Sequence, residues 1–276
     1  MSTLPRLCLV SGADRIRYRS HVNQAVYAQE HGYDYRFDLG VNLGGLRSHF
    51  DIKLRVLQRL GPLYEWVMWI DDDCWFTDFR PGILEAVLEE ATERDADIVI
   101  ARGAREPRGF SSFLNSGVIL LRRSQAATSL LEGVLTEPID DVERWWDEKR
   151  LGIFTHGDQD QIVKVLHDRD LLGRTWLTDP QRLNSRTHLY TASAQDALVC
   201  HFAGHYDREL SVAYFARDYH LSPDLLPWEV ARRYGITTRP MGPAEIRLRQ
   251  ERRDLRGRLK PYLKPLRDRL REVRRR

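Results

Sequence analysis

Cysteine is scarce in this sequence. Cys8, Cys74 and Cys200 are the only three in 276 residues. They are widely separated and odd in number, which excludes a disulfide framework and the paired spacing of a zinc site, and suits a reducing cytoplasm. No basic segment followed by an apolar stretch stands near the N-terminus, so no signal peptide is expected. No apolar run approaches the ~20 residues that a membrane span requires. Phosphate-binding glycine signatures are also missing. Ser11-Gly12-Ala13-Asp14 follows the first strand where GxGxxG or GxxxxGK[ST] would stand, so neither a dinucleotide site nor a P-loop is supported. Finally, the body lacks positive charge. Ile246 to Arg276 holds 14 Lys and Arg against 4 Asp and Glu, so that segment carries +10 of a net +3 and residues 1–245 carry −7. A basic nucleic-acid-binding body is thereby excluded.

What is present is the composition of a globular chain: 42% hydrophobic, 30% charged and 10% aromatic with seven Trp. The length suits one large α/β domain or two small ones; a single domain is assigned to residues 1–240, followed by a basic amphipathic tail, 241–276. Strands are expected at Leu7–Val10, Tyr33–Phe37, Glu65–Ile70, Asp97–Ala101, Asn115–Arg122 and Leu198–Phe202. Helices are expected up to Glu30, over Phe50–Leu60 (capped by Ser48 after a Gly-containing loop, Asn42–Arg47), from Pro81, over Ser124–Leu135 and Val142–Lys149, and from Gly157 to His167. Alternating strands and helices predict a mainly parallel sheet with helices on both faces. In the tail, Ile246, Leu255, Leu259, Leu263, Leu266, Leu270 and Val273 recur at helical spacing among arginines, with Pro261 and Pro265 expected to interrupt a continuous helix. Peripheral contact with an anionic membrane, at its cytoplasmic face, is one expectation for this segment; a solvated or partner-bound helix, or disorder, is the alternative. The oligomeric state is left open.

The chain is organised around Glu65-Trp66-Val67-Met68-Trp69-Ile70-Asp71-Asp72-Asp73-Cys74-Trp75-Phe76-Thr77-Asp78. An apolar strand runs into three aspartates. Adjacent carboxylates at the end of a buried strand repel one another and lose hydration, at a cost of several kcal/mol per ion, which a divalent cation offsets. If the backbone stays extended there, Asp71 and Asp73 face one metal and Asp72 faces away. A solvated acidic turn is the competing reading. His201 ends another strand and is the third candidate ligand; an imidazole beside carboxylates favours Mn²⁺ over Mg²⁺.

The Glu65–Asp73 segment, together with Asn115-Ser116-Gly117-Val118-Ile119-Leu120-Leu121-Arg122, Asp158-Gln159 and His201-Phe202-Ala203-Gly204, resembles glycosyltransferase family 34 in the order and rough spacing of the blocks, over about residues 5 to 210. That family contains fungal α-galactosyl- and α-mannosyltransferases and plant xyloglucan xylosyltransferases. The resemblance implies a GT-A (Rossmann-like) fold, a divalent metal, a nucleotide-sugar donor, a glycan or small-molecule acceptor and retention of anomeric configuration. It implies that Asp71, Asp73 and His201 hold the metal on the donor diphosphate. Asp72, where the family more usually has Ser, would contact ribose or sugar. Lys53, four residues after His49, would meet phosphate or donor sugar, Asn115 the reaction centre, Asp158 the sugar hydroxyls, and Gln159 the face of the anomeric carbon opposite the leaving group. Ser11 and Gly12, in the loop after the first strand, and Arg208, after His205-Tyr206, are further donor-binding candidates.

An amide is a poor nucleophile, so Gln159 suits stabilisation of an oxocarbenium-like state and a front-face substitution, with Asp158 as the alternative nucleophile. On the resemblance alone the donors rank UDP-galactose, then UDP-xylose or UDP-glucose, then GDP-mannose. A family-8-like retaining glycosyltransferase shares the metal and fold. A sugar nucleotidyltransferase would need a Gly-rich basic loop after the first strand, which is missing. A non-catalytic nucleotide- or carbohydrate-binding protein would bind without turnover. Outside the family pattern, Asp158 reads as a helix cap and Asn115-Ser116-Gly117 as a turn.

Overall fold

The structure, a computed structural model, describes residues 7–40 and 51–275, with side chains described up to residue 259. The loop expected at Asn42–Arg47, Ser48 and His49 lie outside the described residues. Among the described residues there are eight strands: β1 Leu7–Ala13, β2 Asp34–Leu39, β3 Trp66–Ile70, β4 Cys74–Phe76, β5 Ile98–Arg102, β6 Leu114–Arg122, β7 Thr175–Thr178 and β8 Val199–His201. The helices are α1 Ser20–His31, α2 Asp51–Leu60, α3 Ile83–Glu93, α4 Gln125–Thr136, α5 Ile139–Trp145, α6 Glu148–Leu151, α7 Asp158–Asp168, α8 Pro180–Leu183, α9 Arg208–Asp218, α10 Trp228–Arg233 and α11 Pro243–Arg275.

Six strands form the central sheet in the order β2-β1-β3-β6-β5-β7, and only β6 runs against the others. The apolar runs explain why both faces are covered. All five residues of β3 are buried, as expected of a strand sandwiched between helices. Alternation divides them: Val67 and Trp69 join Cys8 and Val10 against the apolar residues of α2, α4 and α7, while Trp66, Met68 and Ile70 join Leu7 and Leu9 against α1 and α3. The remaining strands, β4 and β8, form a separate antiparallel pair in which Cys74 lies opposite His201. The expected late strand is therefore real but lies outside the main sheet. Its register carries His201 to the acidic turn.

Several local expectations are corrected. The helix expected over Val142–Lys149 is two short ones, because Asp147 caps the second by accepting the Lys149 N–H (3.0 Å) and the Trp146 indole turns back to the Gly152 carbonyl (2.9 Å). Pro261 and Pro265 do not interrupt α11, which runs from Pro243 to Arg275. Each proline removes one backbone donor, and the surrounding Leu, Arg and Lys are strong helix formers that carry the helix across the gap. Its first turns dock on the body through Arg249, which meets Glu209 (2.6 Å) and Asp207 (3.2 Å). No helix among the described residues is long and apolar enough to cross a membrane.

Candidate active site

At the carboxyl ends of β1 and β3 lies a cleft of about 450 Å³, lined by Gly12, Tyr18, Lys53, Asp71–Asp73, Asn115–Gly117, Asp158, Gln159, His201 and Arg208 among others. In open parallel sheets this is where ligands sit. Of the residues singled out in the sequence, all but Ser11 line it. Ser11 is fully buried and its hydroxyl makes no hydrogen bond among the described residues. Gly12 lies where a Cβ would stand 2.7 Å from the Asp38 carbonyl, so the loop must pass there without a side chain. A larger cavity of about 650 Å³ lies beyond Tyr18, between α9 and the start of α11, and shares none of the acidic cluster.

The three aspartates are not extended. Asp71 C=O accepts the Cys74 N–H (3.1 Å), closing a turn between β3 and β4. Helix α1 holds that turn, with Ser20 Oγ donating to Asp72 O (2.6 Å) and Gln24 Nε2 to Asp71 O (3.2 Å) and Cys74 O (3.0 Å). The expectation that alternation points Asp71 and Asp73 the same way is thus corrected: the turn sends them to different partners. Asp71 Oδ1 accepts from the Trp69 indole (2.6 Å) and lies 3.1 Å from Lys53 Nζ. Asp73 Oδ1 lies 3.0 Å from His201 Nε2, and its Oδ2 is 2.7 Å from Arg208 Nε. Burial works against the Asp73 anion, yet His201 and Arg208 hold its carboxyl well below the usual range. Burial, with Asp73 and Asp71 alongside, pushes Asp72 up to about 7. Asp72 does not face away: it lines the cleft, and its Oδ2 makes no hydrogen bond among the described residues, with Arg17 Nη1 3.8 Å off.

Lys53, beside Asp71, is 4% exposed. Its Nζ lies 2.8 Å from Asp158 Oδ2 and donates to Ser116 O (2.7 Å), while Ser116 Oγ donates to the same carboxylate oxygen (2.9 Å). Asp158 opens α7, where the helix dipole also favours its charge. Gln159 follows it, lining the cleft. Asn115 Oδ1 accepts the Gly117 N–H (3.0 Å) and lies 3.1 Å from His201 Nδ1.

The donor chemistry at Asp73 and His201, a carboxylate and an imidazole nitrogen facing one another, fits a divalent cation. Cys74 completes a cluster whose ligand atoms lie within 4.8 Å of one another. Its thiol is fully buried, and burial pushes its pKa well above the ordinary value. Three features escape sequence reasoning: Ser116 as partner of Lys53, Tyr18 under the Arg208 guanidinium (5.8 Å), and Asn184, buried against Asn115 and His201. Ser116 lies inside the Asn115-Ser116-Gly117 block and Tyr18 four residues beyond Asp14; an isolated Asn after a four-residue helix carries no local signal.

No family model matches the sequence, and no curated protein matches it. Solved structures do resemble it. A glycosyltransferase involved in the glycosylation of the major capsid of PBCV-1 matches with a TM-score of 0.56 at 19% identity, over 74% of this chain and 95% of that one. Mouse xyloside xylosyltransferase 1 in its apo form matches at 0.44 and 13% identity, over 72% and 98%. The galactosyltransferase LgtC in complex with donor and acceptor sugar analogues matches at 0.41 and 16% identity, over 84% and 97%. With its mixed but mostly parallel sheet flanked by helices, the chain has the GT-A glycosyltransferase fold.

Proposed function

We propose that this chain is a metal-dependent, retaining glycosyltransferase that moves a sugar from a nucleotide-sugar donor to a hydroxyl of a glycan or other acceptor. The observation that carries the reading is the convergence of the Asp73–His201 pair with the buried Lys53–Asp158 pair in one cleft at the strand ends of a GT-A fold. Asp73 and His201 would hold Mn²⁺ or Mg²⁺, and Asp71 would join them by leaving Lys53. The cation would supply charge stabilisation to the leaving diphosphate. Arg208, at the first turn of α9 and stacked on Tyr18, would meet the same diphosphate once released from Asp73. The Asp72 Oδ2, which makes no hydrogen bond among the described residues, suits a ribose or sugar hydroxyl.

Asp158 is claimed by Lys53 and Ser116, which lowers its nucleophilicity and leaves it to orient sugar hydroxyls. Gln159 would place its amide dipole against the anomeric carbon as positive charge develops. The anomeric carbon–oxygen bond to phosphate breaks, the acceptor oxygen bonds on the same face, and its proton passes to a leaving phosphate oxygen. A UDP-sugar is the favoured donor, with UDP-galactose first on the family-34 resemblance. The test is release of UDP or GDP across a panel of nucleotide sugars with and without Mn²⁺. Metal-dependent release with one or a few donors supports the reading; no release and no metal-dependent nucleotide binding with any donor removes it.

A further inference from the structure

We infer that Asn184 is a positioning residue that fixes the ring of His201 so that Nε2 faces the metal position beside Asp73; the inference rests on the proposed metal-dependent function. Asn184 is 2% exposed. The chain locks it from both sides. Its own N–H bonds to Pro180 O (3.0 Å), and next to it Ser185 N bonds to Val199 O and His201 N to Ser185 O, each at 2.8 Å. The side chain therefore reaches His201 from a fixed point on the adjoining strand edge.

The hydrogen bonds leave one consistent assignment. Asn184 Nδ2 donates to Asn115 Oδ1 (2.7 Å) and Asn115 O (3.2 Å), which turns its own Oδ1 to His201 Nδ1 at 3.0 Å. Asn115 Oδ1 lies 3.1 Å from the same nitrogen. Two amide oxygens facing Nδ1 require it to carry hydrogen, and that directs Nε2 to Asp73 Oδ1 at 3.0 Å. Gly117 closes the cradle from beneath: a Cβ there would stand 2.3 Å from Cε1 and 2.5 Å from Nδ1 of the ring. This is the arrangement by which a second residue orients a histidine ligand and sets its tautomer. Asn184 comes from a separate segment, between β7 and β8, so the metal position depends on a residue some distance from every ligand in the sequence.

The test uses the full chain and Mn²⁺ alone, with binding read by water-proton relaxation, so that no substrate is needed. Asn184→Leu is expected to weaken Mn²⁺ binding about 10–100-fold. Equal Mn²⁺ affinity in wild type and Asn184→Leu overturns the positioning role while leaving the proposed function standing. Failure of the wild-type chain to bind Mn²⁺ overturns both. Nitrogen-15 spectra of wild-type histidine rings provide a readout that needs no variant to fold. His201 is expected to carry hydrogen on Nδ1, and a proton-free Nδ1 overturns the inference.

Discussion

Replacing Lys53 with methionine should destabilise the protein by about 3 kcal/mol, the lower end of what breaking a buried ion pair from one side costs. Methionine fills nearly the same volume, so the loss is electrostatic. Asp158 bears most of it: its side chain is 7% exposed, and it would keep only Ser116 Oγ. Asp71, 28% exposed, recovers part of its hydration and retains the Trp69 indole, which is why the upper end is not expected. For a chain of this size the shift in Tm is about 6–12 °C, measured by thermal and urea unfolding without metal. Burial works against the Lys53 ammonium, but Asp158 and Asp71 outweigh it and hold its pKa above the ordinary 10.5. The stabilisation is therefore fully present below 10.5 and is lost as pH rises through the higher value of the folded state. The double variant Lys53→Met/Asp158→Asn should recover much of the loss, because no unpaired carboxylate then remains against Ser116. A single variant within about 1 kcal/mol of wild type, at the scale of an exposed pair, would refute the buried network.

Three further outcomes are expected. Asp72, pushed up to about 7 mainly by burial, favours its protonated form on folding, so the associated stability is present below its ordinary 3.8 and lost as pH rises through about 7. Asp72→Asn should accordingly be more stable than wild type at pH 8 by about 2 kcal/mol after discounting its partial exposure, and show no such advantage at pH 4 in thermal melts. Gly117→Ala should cost about 1–3 kcal/mol by overpacking and weaken Mn²⁺ binding with it, because the added methyl meets the His201 ring; unchanged unfolding and binding would contradict the cradle. Gln159→Ala should lower turnover about 10²–10³-fold, as removal of a charge-stabilising group does, with little change in Tm; near-full turnover would sink its role.

Much of the fold is legible because its apolar signals are local. All five β3 residues are buried, and α1 stops at a glycine, Gly32, in the left-handed region (φ 72°). The late strand and its terminal His201 were also visible, since Val199-Cys200-His201 is an apolar run closed by a polar residue. What the sequence hides is set by distant partners. Asp71–Asp73 turns because Ser20 and Gln24, some 50 positions away, bond its carbonyls. The antiparallel course of β6 leaves no trace in its own apolar pattern. Strand β7 is short and half-buried, so its Thr-Trp-Leu-Thr carries little signal. Lys53 looked like a phosphate-binding cation; the sequence around it carries no sign that the ammonium is buried and pairs with Asp158 and Asp71. Asn184 shows the same limit most plainly: its importance lies in two side chains contributed by strands on either side of it, β6 and β8.

On the proposed function, a divalent cation held beside Asp73 and His201 binds a nucleoside diphosphate in this cleft. Calorimetric titration of UDP and of GDP into the wild-type chain, with Mn²⁺ and with chelator, tests it most directly, alongside His201→Ala. Binding of one nucleotide that strengthens at least about tenfold with Mn²⁺, a coupling of about 1.4 kcal/mol, and loses that gain in His201→Ala is the result predicted. Nucleotide affinity that is indifferent to Mn²⁺, or a metal gain that survives removal of His201, would contradict it.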